Sequence, residues 1–439
     1  MRTFVPVITA RARLALAAGS AARWASRTTG RGAGAMIGGL IAMKIDPTVL
    51  AELGRGRRSV VVTGTNGKST TTRMVAAALA TLGPAGGSGV ACNTEGANMD
   101  AGLIAALAAN RTAPLAALEV DEMHVPHVAD AIDPAVIVLL NLSRDQLDRV
   151  GEINHIERTL RAGLARHPNA IVVANCDDVL MTSAAYDCPK VVWVAAGGGW
   201  AGDSVSCPRS GELIVRDGTD WHSTGGDFRR PTPSWWFDES ALYGPDGLVL
   251  PMQLALPGAV NRGNAAQAVA AAVALGADPA QAVAAASSVD EVAGRYRTVT
   301  VGAHTVRLLL AKNPAGWQEA LSMVDTDAPV VIAVNGQVPD GEDLSWLWDV
   351  NFEQFVAAGS TSEERARKRP DAIEPAPSQR LPVVASGERG TDLAVRLGYA
   401  GVTHTLVHDP LAAIASCPPG HVELIANYTA FLQLNRRLP

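Results

Sequence analysis

Apolar runs alternate with helix-like stretches along the first part of the chain. Four runs of five to seven residues, at 59–63, 115–120, 135–141 and 170–175, consist almost entirely of apolar residues. Such runs are typical of strands that are covered on both faces, as in a parallel sheet. The helical stretches between them complete a βαβ series, so the pattern predicts an α/β fold with a doubly wound sheet.

The pattern breaks near residues 196–250. This stretch is rich in Gly, Ser, Pro and Trp and contains short hairpin-like runs, which predicts a small inserted β ribbon. A helical stretch follows the Pro-Gly pair at 257–258, and a second α/β series begins near residue 298. Within that series, the polar, charged and Pro-rich stretch 357–382 predicts a flexible surface insertion.

These breaks predict three parts of the chain. They are a basic N-terminal arm or helical segment over residues 1–55, a central domain over residues 56–297 and a C-terminal domain over residues 298–439. A chain of 439 residues, 48% of them hydrophobic, is long enough for two or three domains with cores of their own.

Charge is unevenly distributed along the chain. Residues 1–45 hold six arginines and Lys44 but no acidic residue, so the net charge of −6 combines +7 in this segment with −13 elsewhere. Three interpretations fit this segment: an organelle transit peptide, a basic arm that contacts an anionic membrane surface or a phosphorylated substrate, and a solvated helix. No stretch is apolar and long enough to span a bilayer. Because the five cysteines are scattered, as in proteins of reducing compartments, we expect a cytoplasmic protein that is at most peripheral to the membrane.

A glycine-bearing loop lies between the first predicted strand and the next helix. It contains Lys68, which is unusual in a chain with five lysines and 32 arginines. Backbone N–H groups of such a loop and the positive end of the following helix bind phosphate oxygens, and a compact ammonium fits this site better than a planar guanidinium. The Ser69 hydroxyl would face Mg²⁺. The standard phosphate-loop spacing is not met, because Val62 occupies its first glycine position. A glycine turn with no ligand is the alternative.

The segment TGTNGKSTTT at 63–72 resembles the ATP loop of the Mur ligase superfamily. Members of that superfamily phosphorylate a carboxylate with ATP, and an amine then attacks the acyl phosphate to form an amide. The resemblance implies that Lys68 and Glu119 are catalytic and that Ser69 and Glu119 hold Mg²⁺. It also implies a set of ATP-binding residues: Thr65, Asn66, Gly67, Lys68, Ser69, Thr70, Asn264 in the segment PGAVNRGNAAQA and Arg295 in the segment AGRYRTV.

Several of these assignments have structural alternatives. Glu119 in the segment LEVDEMH could belong to a solvated acidic loop, and Asp121 and Glu122 are weaker metal candidates. Asn261 could cap the helix that carries Asn264, and Arg295 could form an ion pair between domains. In the segment NLSRDQLDRV, a glutamine takes the place of the superfamily's metal-binding histidine. The candidates left there, with helix capping or ion pairing as alternatives, are Asp145 and Asp148.

Two features depart from the classical members of the superfamily. Only about 58 residues precede the strand–loop unit, which is too short for a UDP-binding N-terminal domain of the Rossmann type. No lysine occurs between Lys68 and Lys190, so the carbamylated lysine that many Mur ligases use is not expected here.

The ribbon and the C-terminal part resemble the MurT family of ligase subunits. The segments AKNPAGW (311–317), VNGQVPDGEDLSWLWDVNFE (334–353) and SGERGTDLAVRLGYAGV (386–402) carry this resemblance. Ribbons of that family often hold Zn²⁺ between two pairs of cysteines. Here only Cys207 is retained, so we predict a Zn²⁺-free ribbon packed around three tryptophans. The positions that lack the other thiols are Ser210, Ser223 and Gly226, and the tryptophans are Trp221, Trp235 and Trp236.

The MurT resemblance implies a substrate and a partner. It implies binding of ATP and lipid II, and amidation of the stem-peptide D-glutamate to D-isoglutamine with ammonia from a GatD-type glutaminase subunit. Asp349 would act at the junction with that subunit, unless it only caps a turn, and Lys312 and Asn313 would lie near the acyl phosphate. Another Mur-type amino-acid ligase and a non-catalytic nucleotide-binding scaffold remain alternatives. Nucleic-acid binding is not expected, because basic residues are not interleaved with stacking aromatic residues.

Overall fold

The computed structural model describes ten stretches of the chain: 8–28, 35–83, 89–93, 97–143, 150–198, 203–290, 296–325, 327–340, 343–356 and 383–438. Arg295, Asp145, Asp148 and the insertion predicted at 357–382 lie outside the described residues, so these assignments stay predictions. The chain divides into two compact units, Met1–Ser143 with Val150–Asp290 and Arg144–Arg149 with Glu291–Pro439.

The first unit is built on a six-stranded parallel sheet with the strand order β2-β3-β1-β4-β5-β6. Its strands are β1 Arg58–Thr63, β2 Ala91–Cys92, β3 Leu115–Glu119, β4 Val136–Leu139, β5 Ile171–Asn175 and β6 Val191–Val194. Its helices are α1 Ala10–Thr28, α2 Ala35–Ile45, α3 Val49–Gly54, α4 Lys68–Ala80, α5 Asp100–Ala109, α6 Val125–Ile132, α7 Val150–Ala165, α8 Val179–Ala185, α9 Ala259–Ala274 and α10 Pro279–Ser287. The four apolar runs form β1, β3, β4 and β5, which confirms the predicted parallel α/β fold.

Strand β1 lies in the middle of this sheet, between β3 and β4. The chain first forms β2 and β3 on one side of β1 and then crosses to form β4, β5 and β6 on the other side, so the carboxyl end of β1 is a topological switch point, where open α/β sheets bind ligands. Alternate strand residues such as Val61, Leu118, Ile137 and Val172 are buried in one core cluster with α3, α5, α6, α7 and α8. Helices α9 and α10 pack against α4.

The N-terminal helices α1 and α2 pack within the first unit through close backbone contacts. A Cβ atom on Gly19 of α1 would lie 2.4 Å from the carbonyl oxygen of Gly38 in α2. A Cβ atom on Gly39 would lie 2.1 Å from the carbonyl oxygen of Ala101 in α5. Only glycine permits helices to approach this closely. No helix among the described stretches is both long and apolar enough to cross a membrane.

The inserted region consists of two small antiparallel sheets. One pairs β7 Ile214–Asp217 with β8 Asp220–Ser223, and the other contains β9 Trp236–Phe237, β10 Ala241–Tyr243 and β11 Val249–Pro251. Trp221 and Trp235 are buried as predicted, and the Trp221 indole donates a hydrogen bond to the Cys176 carbonyl at 3.0 Å. Trp236 also packs within the inserted region, because it stacks on Tyr243 with ring centroids 3.7 Å apart, but its side chain is exposed. Successive strand residues point to opposite faces, so Trp235 and Trp236 could not both be buried on one side.

The second unit contains another six-stranded sheet, in the order β12-β13-β17-β14-β15-β16. Strands β12 and β13 form an antiparallel hairpin, and the other neighbours are parallel. The strands are β12 Tyr296–Val301, β13 His304–Leu310, β14 Val330–Ala333, β15 Val383–Ser386, β16 His404–Leu406 and β17 Gly420–Ala426. The helices are α11 Pro314–Met323, α12 Gly390–Tyr399, α13 Pro410–Ala415 and α14 Tyr428–Arg437. Separate apolar clusters around Trp317 and Phe431 cover this sheet.

Candidate active site

The glycine-bearing loop lies at the switch point of the first sheet. It leads from Thr63, the last residue of β1, to Lys68, the first residue of α4. Gly67 has φ of +83°, a backbone conformation that favours glycine. A Cβ atom on Gly67 would also lie 2.7 Å from Oδ1 of Asn264, so a larger residue would displace this side chain. The first N–H groups of α4 lack helical partners, which suits this end of the helix to anions.

Residues that follow β4 fix the loop from one side. The Thr65 N–H donates to the Asn141 carbonyl at 2.8 Å, and the Asn66 N–H donates to Oδ1 of Asn141 at 3.0 Å. The Asn141 amide donates back to the Asn66 carbonyl at 3.1 Å. The Thr65 hydroxyl accepts from the Ser143 N–H at 3.0 Å and donates to its carbonyl at 3.1 Å. Sequence reasoning missed Asn141, although an asparagine directly after a buried strand beside this loop was a usable signal.

The segment with Asn141 is anchored in turn by a buried carboxyl group. Oxygen atoms of Asp178 accept from the Leu142 N–H at 3.0 Å and from the Met181 N–H at 2.8 Å, where Asp178 caps α8. Burial raises the pKa of the Asp178 carboxyl to about 6, although the backbone donors oppose this shift. The Asp178 side chain therefore joins helix α8 to the segment 141–143, which holds the glycine-bearing loop.

Lys68 is buried and directed back across the loop. Its Nζ atom donates to the Gly64 carbonyl at 2.5 Å and to the Thr65 carbonyl at 3.3 Å. Nζ also lies 3.2 Å from Oε1 of Glu122, and both side chains of this ion pair are 11% exposed. Glu122 was ranked below Glu119 as a metal candidate, and the structure shows it instead as the carboxylate partner of Lys68.

Glu119 and Ser69 bring two oxygen atoms together at the end of β3. Glu119 pairs in register with Val62 of β1, which places its side chain beside the start of α4. The Ser69 hydroxyl donates to Oε2 of Glu119 at 2.8 Å. Asn93 holds the Glu119 backbone through two hydrogen bonds of 2.8 Å. Hydroxyl and carboxylate oxygens are ligands that Mg²⁺ prefers, so this pair fits the predicted metal site.

Helix α9 supports the loop from another side. Asn264 is buried against Gly67 and lies in the second turn of α9. The helix is capped by Gly258, and the Asn261 amide donates to the Pro257 carbonyl at 2.6 Å, so Asn261 is not the N-cap residue. Thr70 is buried in the first turn of α4. The assignment of Asn264 as an ATP-binding residue stays a prediction.

Cys207 lies in the apolar cluster of the ribbon with Val179, Ile214, Trp221 and Phe228. Cys207 does not lie close enough to two other His, Cys, Asp or Glu side chains of the described residues to share a metal ion with them. The Zn²⁺-free ribbon nevertheless stays a prediction.

In the second unit, Asp349 follows the short helical turn Ser345–Trp348. Its Oδ2 atom is buried and has no hydrogen-bond partner among the residues that the structure describes. Trp348 is 56% exposed and Tyr399 is 78% exposed, and their rings meet edge-on at 5.3 Å. Asp349 thus directly follows, in sequence, one member of an exposed aromatic pair.

Two other predicted residues of the second unit have local contacts. The Lys312 ammonium lies 4.7 Å from the centre of the Tyr428 ring. The Asn313 side chain caps α11 by accepting from the Gly316 N–H at 2.8 Å. Their proposed place near an acyl phosphate stays a prediction.

The comparisons with known proteins all identify Mur ligases or MurT subunits as similar to this chain. The Mur ligase middle domain matches residues 62–272, and the MurT ligase C-terminal domain matches residues 310–367. The lipid II isoglutaminyl synthase (glutamine-hydrolyzing) subunit MurT of Streptococcus pneumoniae is 27% identical over 97% of this chain and 96% of its own length. The protein of the same name from Staphylococcus aureus strain N315 is 26% identical over 94% of this chain and 96% of its own length.

Solved structures support the fold. A pseudomurein peptide ligase type C from Methanothermus fervidus has a TM-score of 0.63 at 16% identity, over 87% of this chain and 78% of that chain. MurF from Acinetobacter baumannii has a TM-score of 0.60 at 17% identity, over 91% of this chain and 80% of that chain. The two domain matches agree with the arrangement around Lys68: the chain contains a Mur ligase middle domain and a MurT ligase C-terminal domain, and it is similar to MurT subunits over nearly its whole length.

Proposed function

We propose that this chain is the ligase subunit of a two-subunit amidating enzyme of peptidoglycan synthesis. It uses ATP to activate the α-carboxylate of the stem-peptide D-glutamate in lipid II as an acyl phosphate. Ammonia from a GatD-type glutaminase attacks the acyl carbon, phosphate leaves, and D-isoglutamine is the product. The observation that carries the proposal is the cluster of Lys68, Ser69 and Glu119 at the switch point of a MurT-family fold.

The loop residues divide the work of binding and stabilising phosphate. Backbone N–H groups from Gly67 to Thr70 face the phosphates, and Lys68 supplies the positive charge that stabilises the transferred phosphoryl group. Ser69 and Glu119 would hold Mg²⁺, which neutralises phosphate charge when it is bound. Asn141 and Asn264 keep the loop in place through the contacts described above.

The cysteines favour a separate glutaminase chain. A cysteine nucleophile works as a thiolate and needs a lowered pKa. Burial instead raises the pKa of Cys92 and of Cys176 to about 12 and that of Cys188 to about 11. Burial also raises the pKa of Cys417, and Cys207 is enclosed by apolar side chains. Glutamine hydrolysis is therefore assigned to the partner, whose contact surface would include Asp349, Trp348 and Tyr399.

Reconstituted synthesis tests the proposal directly. Purified chain, lipid II, ATP and Mg²⁺ are incubated with ammonium chloride, or with glutamine and the glutaminase subunit, and the product is analysed by mass spectrometry. Replacement of the carboxyl OH by NH₂ lowers the product mass by about one dalton, and we expect stoichiometric ADP and phosphate. Incorporation of an amino acid instead of ammonia would favour another Mur-type ligase, and absence of any product in both mixtures would favour a nucleotide-binding scaffold.

Helices α1 and α2 provide a surface for contact with the membrane that carries lipid II. Leu14, Ala17, Ala21 and Trp24 recur at three- or four-residue spacing on α1, and all are exposed. On α2 the exposed apolar residues are Met36, Ile37 and Leu40. Their exposed basic neighbours are Arg11, Arg13 and Lys44. Apolar side chains flanked by basic ones fit an anionic bilayer surface.

We expect Leu14→Ser/Trp24→Ser/Leu40→Ser to bind vesicles that contain phosphatidylglycerol at least tenfold more weakly than the wild type. Each large side chain removed from the bilayer surface costs roughly 1.5–3 kcal/mol. Co-sedimentation with these vesicles, and with neutral phosphatidylcholine vesicles, measures the effect. Val249→Ser is the matched control, because Val249 is 56% exposed in the inserted region. Equal binding of the triple variant and the wild type would contradict this assignment.

A further inference from the structure

A second group of metal-ligating side chains lies outside the Ser69–Glu119 pair. The Nε2 atom of His124 lies 2.6 Å from Oδ1 of Asp100, and the Nε2 atom of His127 lies 3.0 Å from Oδ2 of the same carboxylate. One ligand atom from each of these three residues can be chosen so that all three atoms lie within 4.8 Å of one another. We propose that Asp100, His124 and His127 form a binding site for a divalent transition-metal ion, and this proposal does not depend on the proposed function.

The local fold explains why these side chains converge. Asp100 is the first residue of α5, and His124 ends the short helical turn that follows β3. His127 lies three residues later on α6, and side chains with this spacing share one face of a helix. The Asp121 N–H donates to the Asn98 carbonyl at 3.2 Å, which ties the turn after β3 to the residues before α5. Backbone contacts thus hold the two segments together.

The type of ligand selects the class of metal. Two imidazoles and one carboxylate suit Zn²⁺, Co²⁺ or Ni²⁺, whereas Mg²⁺ prefers oxygen ligands such as those of Ser69 and Glu119. Three protein ligands leave at least one coordination position for water or another molecule. The His127 side chain is 58% exposed, against 21% for His124 and 14% for Asp100, so an ion has access from solvent. Binding exchanges the two imidazole–carboxylate contacts for bonds to the metal.

Metal titration of the untagged full-length protein tests the site. After treatment with a chelator, the protein is titrated with Co²⁺ in the presence of excess Mg²⁺, and visible absorption and the stoichiometry are recorded. Zn²⁺ affinity is measured by competition with a chromophoric chelator. We expect one equivalent per chain, with at least tenfold weaker binding in His127→Ala and in Asp100→Asn.

A matched histidine separates this site from ordinary surface contacts. The His167 imidazole also lies 2.9 Å from a carboxylate oxygen, that of Asp130, but no second imidazole contacts this pair among the described side chains. We expect His167→Ala to bind Co²⁺ and Zn²⁺ like the wild type. Zn²⁺ should raise the melting temperature of the wild type and of His167→Ala but not that of His127→Ala. Equal affinity of the wild type and His127→Ala would show that the cluster is only a hydrogen-bonded triad, and would overturn the proposal.

Discussion

Lys68→Ala is expected to lower the rate of ATP-dependent amide synthesis by a factor on the order of 10³, with either nitrogen source. Lys68 is buried at the start of α4 and is the lysine of the loop that binds phosphate in the proposed reaction. Its loss removes the ammonium charge that stabilises the phosphoryl group, while the N-terminal end of α4 and the proposed Mg²⁺ site at Ser69 and Glu119 are retained. Formation of ADP and of the amide product is measured under saturating ATP.

Lys68→Ala also breaks the ion pair with Glu122, so the experiment needs a control for lost stability. Removing one partner of a buried pair leaves the other uncompensated, which costs about 3–5 kcal/mol. Lys68→Met/Glu122→Gln removes both charges at similar volume, so its unfolding free energy should recover while its activity stays absent. Lys190→Ala is the matched lysine control, because the Lys190 ammonium donates to the Asn169 carbonyl at 3.3 Å in an exposed contact. Synthesis at near wild-type rate by the double variant would contradict a role of Lys68 in phosphoryl transfer.

The residues of this site differ in how far the sequence could predict them. The loop from Thr65 to Thr70 was predictable, because a strand, a glycine turn and a helix follow one another locally. Glu119 was predictable as a candidate, because the carboxyl ends of neighbouring parallel strands meet at one edge of the sheet. These features depend on short stretches of chain and on the parallel arrangement.

Other contacts depend on side-chain directions that a pattern does not contain. The pairing of Glu122 with Lys68 depends on the turn after β3, and the position of Asn264 against Gly67 depends on how α9 packs on α4. The exposure of Trp236 follows from the exact register of a two-residue strand. A count of tryptophans in the ribbon could not separate the buried ones from the exposed one.

Asp349→Asn is expected to separate the two nitrogen sources. We expect synthesis with glutamine and the glutaminase subunit to fall about 100-fold, while synthesis with ammonium chloride stays within about twofold of the wild type. Effects of this size are typical when a group that orients or accepts a proton is lost. The substitution conserves shape, and the buried Oδ2 atom has no partner among the described residues, so the second unit loses no observed hydrogen bond at that atom.

A neighbouring aspartate provides the comparison. Asp343 accepts from the Ser345 N–H at 2.8 Å and so supports the same helical turn. Unlike Asp349, Asp343 is exposed. Asp343→Asn should change neither reaction by more than about twofold. Size-exclusion chromatography with the glutaminase tests whether Asp349→Asn still assembles, and Trp348→Ala tests the exposed aromatic pair in the same way. If both nitrogen sources fail equally in Asp349→Asn while the complex assembles, Asp349 acts in the ligase reaction. If neither changes, the carboxylate has no part in the transfer of ammonia.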